Sequence, residues 1–300
     1  LSNRFYLVYR QRQPRELGRG MECRIAQSDN GIAFRDIWAL PKASLGALSV
    51  ERGSLVRGFD GLWRLYIGYV DPADRRWRIG FLEAEEPDGF DIGALTPILT
   101  AEVVGSEGVK DPNVFILGRM LYMIASYATR NPELPPESER RKHESGDVYS
   151  TGLTRSRTGA AISGDGRRFQ WIGDISPIAD YPRGLAPAAE GEPAQAEPWD
   201  AYCRRIVGLA PLESGGFLAF YDGGRSVEDN YEERTGLATT FDLRTYFSLT
   251  PDAPALCSPH GSGSLRYVDA LPVGHELFYY YEIARPDGAH ELRVSVVECP

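Results

Sequence analysis

No run of 18 consecutive apolar residues occurs in this chain of 300 residues, which excludes a membrane-crossing helix. Cysteine is scarce. The four present, Cys23, Cys203, Cys257 and Cys299, lie far apart and form no CxxC pair. Their spacing argues against a zinc site and fits buried free thiols in a reducing compartment. A chain this long can bury a core without a disulfide or metal staple. Positive charge is in the minority: 33 Lys and Arg face 42 Asp and Glu, for a net charge of −9. That balance argues against phosphate-backbone binding as the main task and predicts no nucleic-acid partner. Sustained 3.6-residue periodicity with caps is also missing, so a helical domain is not expected. What is plentiful is glycine (32), proline (21) and aromatic residues (11%), the mark of many turns and short strands.

An internal repeat organises these strands. An apolar-aromatic segment reads FYLVYR from Phe5, RLYIGYV from Arg64, MLYMIASYA from Met120, FLAFYDG from Phe217 and LFYYYE from Leu277. Successive segments are about 60 residues apart, except across one longer gap. That gap holds two polar stretches, near 130–145 and 180–198, which read as surface insertions or mobile loops. A second strand follows several of these segments and ends in the frame A-x-[ST]-x-D-x-x-x-[FY]. Asp29, Asp165 and Asp242 are expected to be structural there, in turns whose residues tolerate positive φ. Repeated blades of three or four antiparallel strands predict an all-β fold, a five-bladed β-propeller. The blades fall near 1–46, 47–104, 105–178, 199–254 and 260–300. A β-sandwich is the alternative, but it would not produce a repeat of this length.

In a propeller, residues before and inside comparable strands line a shared rim. The rim segments are SVERGSLV with Glu51 and Arg52, GVKDPNVF with Lys110 and Asp111, DAYCRRIV with Arg204 and Arg205, and GSLRYVD with Arg266. The first blade's counterpart is expected upstream of Leu1, because a strand is already under way at Phe5. The cytoplasm is the expected location, with secretion left open by that start.

KDPNVF followed by LYMIASYA resembles the D-P-x-V/I rim motif of the five-bladed propeller glycosidases. Their branches include arabinanases and xylosidases, invertases and levanases, and mannoside phosphorylases. SPHGSGSLRYVD resembles the segment before their last blade. The resemblance spans essentially the whole chain as a repeat and implies a carbohydrate substrate. It also implies that Asp111 is catalytic or tunes the acid, and that His260 faces the central channel as a candidate metal ligand. No cofactor is expected to be required. A structural calcium in the channel is the candidate metal, and it would need oxygen ligands beside His260. The chain carries neither the WMNDPNG motif of the invertases nor a clean E-[GA]-P segment.

Glycoside hydrolysis needs two carboxyl groups, one to protonate the leaving oxygen and one to activate water or attack the sugar. Asp111 and Glu51 are the expected pair, with Glu233 as a third acid. Alternation along a strand turns only one of Glu232 and Glu233 inward. Lys110 could keep Asp111 ionised or bind a hydroxyl. Arg10, Arg52, Tyr127, Arg205, Asp222 and Arg266 are the remaining substrate-binding candidates. His143 and His290 are expected at the surface. A phosphate-dependent phosphorylase and a non-catalytic sugar-binding propeller are the alternative functions.

Overall fold

The computed structural model describes residues 4–14, 20–177, 198–213 and 215–298. The protein is all-β, as its turn-rich composition predicts. Among the described residues no helix is long and apolar enough to cross a membrane. The chain divides into two compact units: residues Leu1–Arg155 with Gly159–Asp174, and Ser156–Thr158 with Ile175–Pro300.

The first unit holds three groups of antiparallel strands. Strands β1 (Phe5–Gln11), β2 (Glu22–Ser28) and β3 (Arg35–Pro41) form a meander. After the one-turn helix α1 (Lys42–Leu45) come β4 (Ser49–Arg57), β5 (Trp63–Val70), β6 (Trp77–Ala84) and β7 (Thr96–Leu99), paired in that order. A second short helix, α2 (Ala101–Val104), is capped by the Thr100 hydroxyl and leads into β8 (Gly108–Leu117) and β9 (Met120–Ala128). Helix α3 (Pro136–Arg141) lies in the first predicted insertion. Beyond it, β10 (Ser156–Ser163) pairs with β11 (Gln170–Asp174). The interior is apolar where alternation predicts it: Ile79, Leu99, Val109, Leu121 and Met123 form one core cluster.

The second unit repeats the plan. Strands β12 (Cys203–Pro211), β13 (Phe217–Gly224), β14 (Arg234–Thr240) and β15 (Phe247–Ser248) pair consecutively. They are followed by β16 (Leu265–Val273), β17 (Glu276–Ala284) and β18 (His290–Glu298). Val207, Phe220, Val268 and Ile283 lie in their shared core.

The repeated aromatic segments are β1, β5, β9, β13 and β17. Four of the five are second strands of their groups, and only β1 opens one. The first strands β4, β8, β12 and β16 carry the predicted rim residues. Each shifts register by one residue against its partner: between Val50 and Gly53, Lys110 and Asn113, Ile206 and Gly208, and Arg266 and Asp269. A single extra residue bends the strand and re-aims its side chains. Recurrence at one place in four strands makes the bulge part of the repeat.

The conserved frame at the turns is also visible in hydrogen bonds. Asp165 Oδ1 accepts from the amides of Arg167 (2.8 Å) and Arg168 (2.9 Å), and Asp242 Oδ1 from Arg244 (2.8 Å) and Thr245 (2.7 Å). In the first repeat this role belongs to Asn30, not Asp29: Asn30 Oδ1 accepts from Ile32 and Ala33, both at 2.9 Å. The next residue takes positive φ in all three turns, +71° at Gly31, +74° at Gly166 and +57° at Leu243. The frame itself points to Asn30, which stands two positions after Ser28 as Asp165 stands two after Ser163 and Asp242 two after Thr240, so the expectation of Asp29 is one residue out of register.

The stretch near 130–145 is not simply a surface loop. Below α3, Lys142 Nζ lies 2.9 Å from Glu107 Oε1, and His143 Nε2 lies 3.0 Å from Glu107 Oε2. Lys142 is buried and His143 half-buried, so the expectation of a surface His143 is corrected. Burial lowers the proton affinity of His143 more than Glu107 raises it, and the ring keeps its place through the contact to the Glu107 carboxylate. Of the second stretch, residues 180–197 lie outside the described residues.

Candidate active site

The predicted charged residues of the site fall in both units, with Tyr127 and His260 apart from them. In the first unit, Glu51 occupies the bulge of β4 and is 1% exposed. Its carboxylate forms an ion pair with Arg10 at the end of β1 and lies 3.7 Å from Arg12 Nη2. Arg52 shares the bulge and is partly buried. The neighbouring strand β8 is fixed to β4 by the Val114 amide, which donates to Ser54 Oγ at 3.0 Å. Asp111 sits in the bulge of β8 at φ +54°, a left-handed conformation before a proline, and is 5% exposed. Such a conformation costs a non-glycine residue roughly 1–2 kcal/mol. Strain of this kind concentrates at functional sites.

Lys110 precedes Asp111, is fully buried, and places Nζ 3.7 Å from Asp111 Oδ2. Its ammonium lies 4.9 Å from the Trp77 ring centroid and 4.7 Å from that of Tyr149. Neither aromatic residue was singled out by the sequence pattern. The signal was absent because each lies more than 30 positions away from Lys110. Tyr127, on β9, donates its hydroxyl to Asp174 Oδ2 at 2.7 Å and packs edge-on to Trp171.

In the second unit, Arg205, Asp222, Glu233 and Arg266 come together, all at most 2% exposed. Arg205 Nη2 lies 2.6 Å from Glu233 Oε1 and 3.4 Å from Asp222 Oδ2. Arg266 Nη1 donates to Glu233 Oε2 at 2.6 Å, and its Nε donates to Glu282 Oε1 at 2.7 Å. The Tyr267 amide donates to Asp222 Oδ1 at 2.9 Å. Tyr267 occupies the β16 bulge at φ +56°, and its ring lies over both guanidinium groups. Glu282 and Tyr267 thus join the cluster without having been predicted, although Tyr267 adjoins Arg266 in the rim segment.

The two acids of this cluster differ in proton affinity. Burial pushes the Asp222 carboxyl up to about 7; the Glu233 charge acts in the same direction, and Arg205 opposes both. Burial also acts to raise Glu233, but Arg205 and Arg266 outweigh it and bring the group down to about 2. The shorter contact to Arg205 explains which carboxyl wins the shared guanidinium.

Glu233 is buried while Glu232 is partly exposed, although both precede β14 and strand alternation is not the cause. Glu232 Oε2 lies 3.2 Å from His290 Nε2, which makes His290 half-buried rather than a surface residue. His260 is exposed, and its amide bonds to Ser258 Oγ. Among the described residues no group of three His, Cys, Asp or Glu side chains could hold a metal ion.

No protein-family model matches the sequence, and no curated protein matches it. Solved structures do match along nearly the whole chain. The GH43_1 enzyme from Xanthomonas citri in complex with xylose is similar with a TM-score of 0.64 and 12% identity, over 99% of this chain and 84% of that one. The endo-arabinase from Bacteroides thetaiotaomicron gives 0.58 and 9%, over 99% and 90%. The β-1,2-mannobiose phosphorylase from Listeria innocua gives 0.50 and 15%, over 92% and 66%. The chain therefore shares the fold of the propeller glycosidases, the superfamily its rim motif resembles.

Proposed function

We propose that the protein is a glycoside hydrolase and that Glu51 and Asp111 are its paired carboxyl groups. The observation that carries this reading is their placement. Both occupy the one-residue bulge of a first strand, on adjacent strands joined through Val114 and Ser54, and Asp111 is held there in a strained conformation. A bulge re-aims a side chain at a defined point, and a carboxyl pair is what glycosidic cleavage requires. One carboxyl group would give its proton to the leaving oxygen. The other would take a proton from the attacking water or attack the sugar directly. Basic groups flank each carboxyl group, Arg10 and Arg12 at Glu51 and Lys110 at Asp111. The likeness to glycoside-acting enzymes of the same fold supports a carbohydrate substrate. The aromatic strand that recurs five times, as β1, β5, β9, β13 and β17, supports five blades.

Phosphorolysis is less favoured by the second unit. There Arg205 and Arg266 are already matched by the carboxylates of Glu233 and Glu282, leaving no surplus positive charge for a phosphate.

A screen on aryl furanosides, pyranosides and uronides, with and without phosphate, tests the reading. Hydrolysis without phosphate is expected, with a loss of about a thousandfold or more in Asp111→Asn and Glu51→Gln while both stay folded. Turnover that survives both substitutions would overturn the assignment. Turnover only with phosphate would make the enzyme a phosphorylase. Sugar binding without any turnover would make the protein a binding module.

A further inference from the structure

Of the 33 basic residues, only Lys42, Lys110 and Lys142 are lysine. Lys142 is engaged by Glu107, and Lys110 is fully buried between two aromatic rings. In a chain that otherwise uses arginine, a lysine at this place calls for a physical reason. The ammonium is a compact point charge, and it lies under 5 Å from both ring centroids.

The rings are themselves fixed. Trp77 is 2% exposed and donates Nε1–H to Asp147 Oδ1 at 3.3 Å. Tyr149 is 1% exposed, and its hydroxyl lies 3.1 Å from the carbonyl oxygen of Gly108 and 3.2 Å from that of Ser126. Those carbonyls belong to β8 and β9, so Tyr149 is tied to the strand that carries Lys110 and Asp111. Gly108 adds closeness: a Cβ there would come within 3.3 Å of Trp77 Cβ.

We propose that Trp77 and Tyr149 form an aromatic seat for the Lys110 ammonium, and that this seat sets where the Asp111 carboxylate is held. They are positioning residues. Their effect on turnover rests on the reading of Asp111 in the preceding subsection, but the seat itself can be observed without turnover.

The test pairs ring-keeping with ring-removing variants: Trp77→Phe and Tyr149→Phe against Trp77→Leu and Tyr149→Leu. Each is checked for folding by circular dichroism. If Trp77→Leu does not fold, the Tyr149 pair carries the test. In protein labelled with 13C-lysine, three ε-methylene signals are expected, and Lys110→Arg assigns one. That signal should be displaced upfield by the ring currents in the native protein and in the Phe variants, and should move part of the way back in each Leu variant, which leaves one ring in place. In turnover, the Leu variants should lose about a hundredfold in kcat with KM unchanged, the scale of a small misplacement, and the Phe variants should keep most of it.

An undisplaced Lys110 signal in the native protein would overturn the seat. Leu variants with native kcat, or Phe and Leu variants that lose kcat equally, would overturn the positioning role. If Asp111→Asn keeps its turnover while the displaced signal is present, the catalytic reading of Asp111 fails instead.

Discussion

At Asp222 and Glu233, two carboxyl groups with the same burial hold their protons very differently, and the direction of each shift sets a pH dependence of stability. The carboxyl of Asp222 is raised from 3.8 to about 7, so the folded state binds its proton more tightly than the unfolded state does. The stability that follows is fully present below about pH 4 and is lost as pH rises through 7. Glu233, lowered from 4.5 to about 2, behaves oppositely: its contribution is present above about 4.5 and is lost on acidification toward 2. Asp222→Asn keeps an oxygen for the Tyr267 amide but cannot titrate. Relative to this variant, the native protein should lose stability between pH 5 and pH 8, by a few kcal/mol at most. Urea unfolding at the two pH values reads this directly. Parallel pH dependence in both proteins would show that Asp222 is not the titrating group.

The strands and turns carry a second kind of repetition, in which backbone need dictates side chain. In each capped turn one side-chain oxygen satisfies two amides that the chain reversal leaves without strand partners. Asp165→Ala should cost about 1–2 kcal/mol and Asn30→Ala about 1 kcal/mol, because the neutral amide is the weaker acceptor, and Asp242→Ala should lower the denaturant midpoint in the same direction. Asp29→Ala should change stability by less than about 0.5 kcal/mol, as an exposed residue outside that role. Denaturant midpoints of the four variants distinguish the assignments, and a large effect at Asp29 would reverse the one made in the first repeat. The bulges apply the same logic to function. An extra residue interrupts pairing at one point in each first strand; Glu51, Asp111 and Tyr267 stand at three of these points, and the core residue Val207 stands at the fourth.

Across the whole molecule, each unit has its own buried thiol. Cys23 and Cys203 are at most 1% exposed, and burial pushes both thiols up to about 12, whereas Cys257 is exposed. A thiol reagent at neutral pH should therefore modify Cys257 in the native protein and spare Cys23 and Cys203. Their labelling should appear only with denaturant, Cys23 reporting on the first unit and Cys203 on the second. Peptide mapping of the labelled sites checks this, and rapid native labelling at either buried position would contradict the packing described. Local chemistry explains what the amino-acid sequence determined by itself. Alternation, turn residues and the spacing of aromatic segments act over a few positions, so the all-β class, the repeat, the capped turns and the rim positions of Glu51, Lys110 and Asp111 were legible. Charge partnership is not local. Arg10 reaches Glu51 across 41 positions, Lys110 is enclosed by residues 33 before and 39 after it, and Arg205 is shared between Asp222 and Glu233. Which carboxyl keeps its proton, and which lysine is buried, depends on distances and desolvation that exist only once the strands have packed, and so was decided by the tertiary structure alone.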